Sequence, residues 1–176
     1  MSGHNKWSKI KRQKGAADVA KSNVWGKLGK RIAIESKAAK GDANSPGLRS
    51  WIEKAKKENM PKENIERAIA KGISADASTM ESVTYETYGP GGTAIIIAAV
   101  TDSRNRTAQE IKHLLSKNGL ALAAPGSAAW AFTKTADGYE PHTTVPLSEE
   151  DGAKLGEILE QIEENDDVEE VFTNAV

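Results

Sequence analysis

The sequence predicts an α+β protein: a basic helical domain, then a mixed domain with helices on one face of a mainly antiparallel sheet. Three observations carry this. Apolar residues up to Gly72 recur at three- and four-residue intervals, whereas beyond residue 82 stretches that alternate or run continuously join such helical ones. Charge separates at the same place. Residues 1–72 hold 18 Lys/Arg against 7 Asp/Glu and residues 73–176 hold 6 against 18, so a net charge of −1 conceals balances of +11 and −12. Between the halves lies "ISADASTMES" (73–82), whose composition reads as a linker.

Residues 1–15, with several Lys among Gly, Asn and Ser and few apolar anchors, read as a flexible basic arm. From Ala16 to Ala39, Val24, Leu28 and Ile32 share one helical face. "KGDANSP" breaks that helix. Ser45 is placed to cap the next one with Pro46 at its first position, and Leu48, Trp51, Ile52 and Ala55 form its stripe. A third helix restarts at Pro61, presents Ile65, Ala68 and Ile69, and stops at Gly72. Three short stripes need one another to be buried, so residues 16–72 form a small bundle. In the α+β domain, 83–176, "VTYETY" alternates like a half-buried strand, "GPGG" turns, and "TAIIIAAV" is a buried strand. A helix over 105–117 carries Ile111, Leu114 and Leu115, "SAAWAF" (Ser127–Phe132) reads as a strand, and "LSEEDGAKLGEILEQIEEN" is a helix capped by Ser148. "VEEVFT" closes the chain as a short strand.

Composition excludes several functions. No apolar run approaches the roughly 20 residues that cross a bilayer, and no apolar segment follows the basic start as in a secretory signal, so a cytoplasmic protein without membrane contact is expected. With no cysteine there is no disulfide, thiolate metal site or cysteine nucleophile. His4, His113 and His142 have no metal-ligand spacing, no serine sits in a nucleophile elbow, and no cofactor motif occurs. "YGPGG" lacks the Gly-Lys-Ser/Thr ending of a phosphate-binding loop and leads into a strand, which makes it a hairpin turn. The acidic run Glu163–Val171 has no calcium-loop spacing and reads as a solvated helix end and edge strand. No catalytic constellation emerges, and neither a metal nor a cofactor is expected.

Two stretches carry binding chemistry. Lys6, Lys9, Lys11, Arg12 and Lys14 surround Trp7, and Lys21, Lys27, Lys30 and Arg31 continue along the first helix. Cations attract phosphates, and an aromatic among them can stack on an unpaired base. The bland alternative is a solvated tail with Trp7 tucked against the bundle. The second stretch is "TDSRNRT" (Thr101–Thr107). Two arginines at a helix start oppose the helix dipole, so Arg104 and Arg106 read either as a phosphate-binding pair beside Asn105 or as ion pairs with nearby acids.

Taken together and in order, "GHNKWSKIKRQKGAADVAK", "NMPKENIERAIAKG", "YETYGPGGTAIII", "TDSRNRT" and "PHTTVPLSEED" resemble the YebC/PmpR family, whose members are labelled probable transcriptional regulators and whose mitochondrial relatives act as translational activators. The resemblance implies a helical domain followed by a ferredoxin-like α+β domain, nucleic-acid or ribosome engagement, and no enzymatic activity. By matching position, it puts the family's basic segment on His4, Lys6, Trp7, Lys11 and Lys14, and its loop-and-helix motif on Arg104, Asn105, Arg106 and Thr107. The chain departs from the family in one respect. Only "TKTADGYEP" separates Phe132 from "HTTVPLSEED", so a third, inserted α+β domain is expected to be absent, with the strand leading directly to the last helix. The function expected is a non-enzymatic regulator that binds DNA, or ribosomal or other structured RNA. The other reading is a protein-interaction adaptor that uses its charge asymmetry without touching nucleic acid.

Overall fold

Helices α1 (Ala17–Ala38), α2 (Pro46–Lys57) and α3 (Lys62–Ile73) appear in the predicted order in the computed structural model, which describes residues 17–75, 79–135 and 138–176, with side chains from Asn23 onward. Their stripes meet in one cluster of Ile32, Leu48, Ala55, Met60, Ile65 and Ala68, with Trp25, Leu28, Trp51 and Ile69 packed around it. Two helix ends differ from expectation. Ser45 occupies the cap position of α2, but its side chain makes no capping hydrogen bond; the start rests on Pro46, whose fixed φ suits a first turn and which has no N–H to satisfy. Gly72 does not stop α3, which continues to Ile73. A Cβ on Gly72 would lie 2.3 Å from the Ala33 carbonyl oxygen and 2.6 Å from the Ser36 Cβ. Close approach of α1 therefore selects glycine here. Alongside it, the Ser36 hydroxyl donates to the Ile69 carbonyl at 2.8 Å.

Strand β1 (Glu81–Tyr88) begins inside the stretch read as linker. A single 3-10 turn over Pro90–Gly92 follows, with Gly91 and Gly92 at φ of 67° and 77°, and the Gly89 N–H donates to the Thr93 carbonyl at 2.8 Å. That makes "GPGG" the expected hairpin turn into β2 (Ala94–Thr101). Strand β2 is central in the order β1-β2-β5 and runs antiparallel to β5 (Val168–Thr173), with Ile95 opposite Thr173 and Ile97 opposite Val171. Ile95 and Ile97 join Val171 in a core with α4 (Arg104–Lys117) and α5 (Glu149–Glu163). Alternation sends Ile96, Ala94 and Phe172 to the other face. Asn174 locks this end of the sheet: its Oδ1 accepts from the Ala94 N–H at 2.8 Å and its Nδ2 donates to the Thr143 carbonyl at 2.9 Å. Ser148 caps α5 as predicted, accepting from the Asp151 N–H at 3.1 Å.

Two expectations in this half are corrected. Ser127–Phe132 is not a strand: it curls through a turn and a 3-10 helix, Ala129–Ala131, before β3 (Phe132–Thr135) begins. The cause is Glu86, whose carboxylate gathers the N–H groups of Gly126, Ala128 and Ala129 at 2.7, 2.7 and 2.9 Å. Second, β3 does not lead straight to the last helix. It pairs with β4 (Gly138–Pro141) in a hairpin. The hairpin is part of the sheet's core, because Phe132 and Tyr139 pack with Ile96 and Phe172, the tyrosine ring lying edge-on to Phe172 at 5.3 Å. The chain divides into two compact units, a helical unit of residues 16–83 with 100–104, and a sheet unit of residues 84–99 with 105–176. No helix among the described residues is long and apolar enough to cross a membrane.

Candidate nucleic-acid interface

Helices α1 and α3 pack closely because their facing residues are small. Gly29 faces Met60 and Ala68, whose atoms would lie 3.8 and 4.0 Å from a Cβ built on it. Beside this contact the two helices leave a groove of about 400 Å³, lined by Trp25, Gly26, Gly29, Lys30, Met60, Asn64, Arg67, Ala68 and Lys71. Three of those residues are cations and none is a carboxylate. The Trp25 ring is fixed in place, its Nε1–H donating to the Glu58 carbonyl at 3.0 Å.

The structure treats the residues singled out from sequence unequally. His4, Lys6, Trp7, Lys9, Lys11, Arg12 and Lys14 lie outside the described residues, and Lys21 lies on α1 where side chains are not described. Lys27 is half-buried on α1, and Lys30 lines the groove. Arg31 is engaged within the helical unit: it pairs with Glu35 at 3.2 Å, lies over the Trp51 ring at 5.1 Å and reaches the Ser82 hydroxyl at 3.5 Å. Sequence reasoning passed over Asn64, Arg67 and Lys71. The signal was available: Arg67 and Lys71 stand at i, i+4, and so share a face of α3.

The arginines of "TDSRNRT" have separate surroundings. Arg104 pairs with Glu81 at 3.7 Å, both side chains exposed. Arg106 donates to Asp167 Oδ2 at 2.8 Å and approaches Glu110 at 3.6 Å. Asp167 is only 4% exposed, and the Thr107 hydroxyl also donates to its Oδ2, at 2.6 Å. Asp167 is thus not part of a solvated acidic run but a buried acceptor that ties the start of α4 to the start of β5. Asn105 is exposed. His113 is exposed, and the His142 ring has the Thr143 hydroxyl at 3.2 Å. Among the described residues no three His, Cys, Asp or Glu side chains converge in a way that would hold a metal ion.

A further feature of the sheet unit is built by Glu86. Burial pushes its carboxyl pKa up, but the three backbone donors outweigh burial and hold it below the ordinary carboxylate value. The loop so clamped presents Trp130, 57% exposed, whose Nε1–H donates to the Tyr88 hydroxyl at 2.9 Å; Tyr88, 39% exposed, donates in turn to the Ser127 carbonyl.

Comparison with known proteins places these features. Residues 5–75 match the family model described as the TACO1/YebC protein N-terminal domain, and residues 80–137 match the TACO1/YebC second and third domain. A protein of Fervidobacterium nodosum named "Probable transcriptional regulatory protein" is 34% identical over 235 aligned positions, covering 99% of this chain and 93% of its own. That alignment is longer than the chain, so the relative carries, inside the aligned stretch, residues with no counterpart here. A protein of Petrotoga mobilis with the same name is 41% identical over 183 positions, covering 98% of this chain and 70% of its own. The crystal structure of a conserved hypothetical protein from Aquifex aeolicus superposes with a TM-score of 0.83 at 28% identity, over 90% of this chain and 91% of that one. The chain belongs to the TACO1/YebC family.

Proposed function

We propose that this protein is a non-enzymatic regulator of gene expression that binds nucleic acid through its helical unit. The observation that carries the reading is the groove between α1 and α3, where Lys30, Arg67 and Lys71 line one concavity with no carboxylate among the lining residues. Such a site attracts phosphates whatever the base sequence. The +11 balance of residues 1–72 supplies a long-range field of the same sign. The relatives' name points to transcription, and so to DNA. The run of cations around Trp7 fits structured RNA, including ribosomal RNA, equally well. The sheet unit, whose half of the sequence carries the −12 balance, positions the protein against a partner. One observation favours the adaptor as a second reading: the hydrogen-bonded, exposed pair Tyr88 and Trp130, since exposed aromatics are typical anchors of protein interfaces.

The test is binding of the full-length protein to duplex DNA, structured RNA and ribosomes, beside the variant Lys30→Ala/Arg67→Ala/Lys71→Ala. Binding to at least one ligand that falls at least tenfold in the variant is expected. Absence of binding to all three would remove the reading and leave the adaptor in front.

A further inference from the structure

Resting on that nucleic-acid reading, we infer that the α1–α3 groove seats one unpaired nucleotide of a single strand or loop. Its phosphate lies among Lys30, Arg67 and Lys71, and its base lies against Trp25.

Size is the first argument. At about 400 Å³ the groove is at the small end of ligand sites and takes a nucleotide, not a duplex. A duplex backbone would rest on the rim, meet the exposed ends of Arg67 and Lys71, and leave the indole untouched.

Chemistry is the second. Lys71 stands in the last turn of α3 and Arg67 one turn before it, so cations follow one another along the groove, while Trp25 and Met60 supply an apolar section. Part of the indole packs on the helical core and part lines the groove. Its one polar atom is already satisfied by Glu58, which leaves the ring to offer a π surface rather than a hydrogen bond. An aromatic beside cations is the arrangement on which unpaired bases stack, and it is tolerant of base identity. Asn64, in the same lining, adds an amide able to meet a base edge or a sugar hydroxyl.

The third argument is Gly26. Glycine inside a helix is unfavourable, and Gly29 at least has neighbours: a Cβ built on it would make ordinary van der Waals contact with Met60 and Ala68. Gly26 has none: a Cβ built on it meets nothing within 4 Å among the described residues. It lines the groove, and its missing side chain is volume kept open for a ligand.

Gly26→Leu extends a side chain into that volume from a Cβ that meets nothing within 4 Å among the described residues. With full-length protein, binding is measured to a ten-nucleotide uridine RNA, the corresponding thymidine DNA and a twenty-base-pair DNA duplex, with thermal stability recorded alongside. The inference predicts single-strand affinity at least tenfold lower in Gly26→Leu, duplex affinity changed less than twofold, and a melting temperature no lower than wild type. Equal loss for single strands and duplex would overturn the unpaired-nucleotide assignment. Unchanged single-strand binding by a folded variant would remove the groove as the seat while leaving nucleic-acid binding intact. A wild-type protein that bound none of the probes would fail the underlying reading itself. Should Gly26→Leu not fold, Gly26→Met, a flexible side chain at the same position, decides by the same ratio: single-strand loss must exceed duplex loss at least fivefold.

Discussion

Three backbone N–H groups converge on the Glu86 carboxylate, which is 7% exposed, and this explains why a short alanine-rich segment curls instead of extending. Glu86→Gln keeps the shape but turns one acceptor into a donor facing donors, so it should cost about 1–3 kcal/mol in chemical denaturation near neutral pH. The pH dependence follows from the lowered pKa. A carboxylate with a folded-state pKa below its unfolded one contributes full stability above the ordinary value of about 4.3 and loses it as pH falls through the folded value. The gap between wild type and Glu86→Gln should therefore close in acid; a gap constant down to pH about 2 would contradict the clamp. Two glycines make the opposite prediction to each other. Gly72→Ala drives a methyl into the Ala33 carbonyl and should destabilise by about 1–3 kcal/mol or more, whereas Gly26→Ala meets open space and should stabilise by about 1 kcal/mol. Thermal melts of the two variants moving in the same direction would refute the packing account of α1.

The elements at the start of α4 let the arginine pair be divided. Arg104 and Glu81 are exposed and 3.7 Å apart, so Arg104→Ala should change stability by less than about 1 kcal/mol. Arg106→Ala takes the guanidinium partner from the buried Asp167 carboxylate, to which the Thr107 hydroxyl still donates; a loss of about 1–3 kcal/mol is expected, discounted from a fully buried pair because the guanidinium is 48% exposed. Equal melting temperatures for the two variants would reject this division. Asp167 also shows what the sequence could not disclose. Six of the nine residues of "EENDDVEEV" are acidic, and nothing local marks the one carboxylate, Asp167 just before β5, that the fold buries. The helical stripes, the "GPGG" turn and the Ser148 cap were legible because each depends on residues close in sequence. The 3-10 helix at Ala129 was not, since its cause, Glu86, lies some forty residues away. The groove was half legible: Lys30 stands out in the sequence with the other α1 cations, whereas Arg67 and Lys71 drew no reading of their own. Their convergence with Lys30 depends on the close approach of α1 and α3 that Gly72 allows.

For the whole molecule, charge segregation and the groove make one claim, that the helical unit docks on a polyanion. Nine cations were identified between Lys6 and Arg31, of which Arg31 is occupied by Glu35 and Trp51, while α3 adds Arg67 and Lys71. With roughly half reaching phosphates, counterion release predicts a slope of about −3 to −5 for log K against log salt. Each single-strand phosphate contact accounts for about 0.7 of that slope. The most direct measurement is the salt dependence of single-stranded RNA binding by full-length wild type and by Lys30→Ala/Arg67→Ala/Lys71→Ala. The account predicts binding by wild type with the steep slope, and a slope shallower by about 0.7 in the variant, which loses the one phosphate the groove holds. Binding with an identical slope in both proteins, or no binding by either, would contradict it.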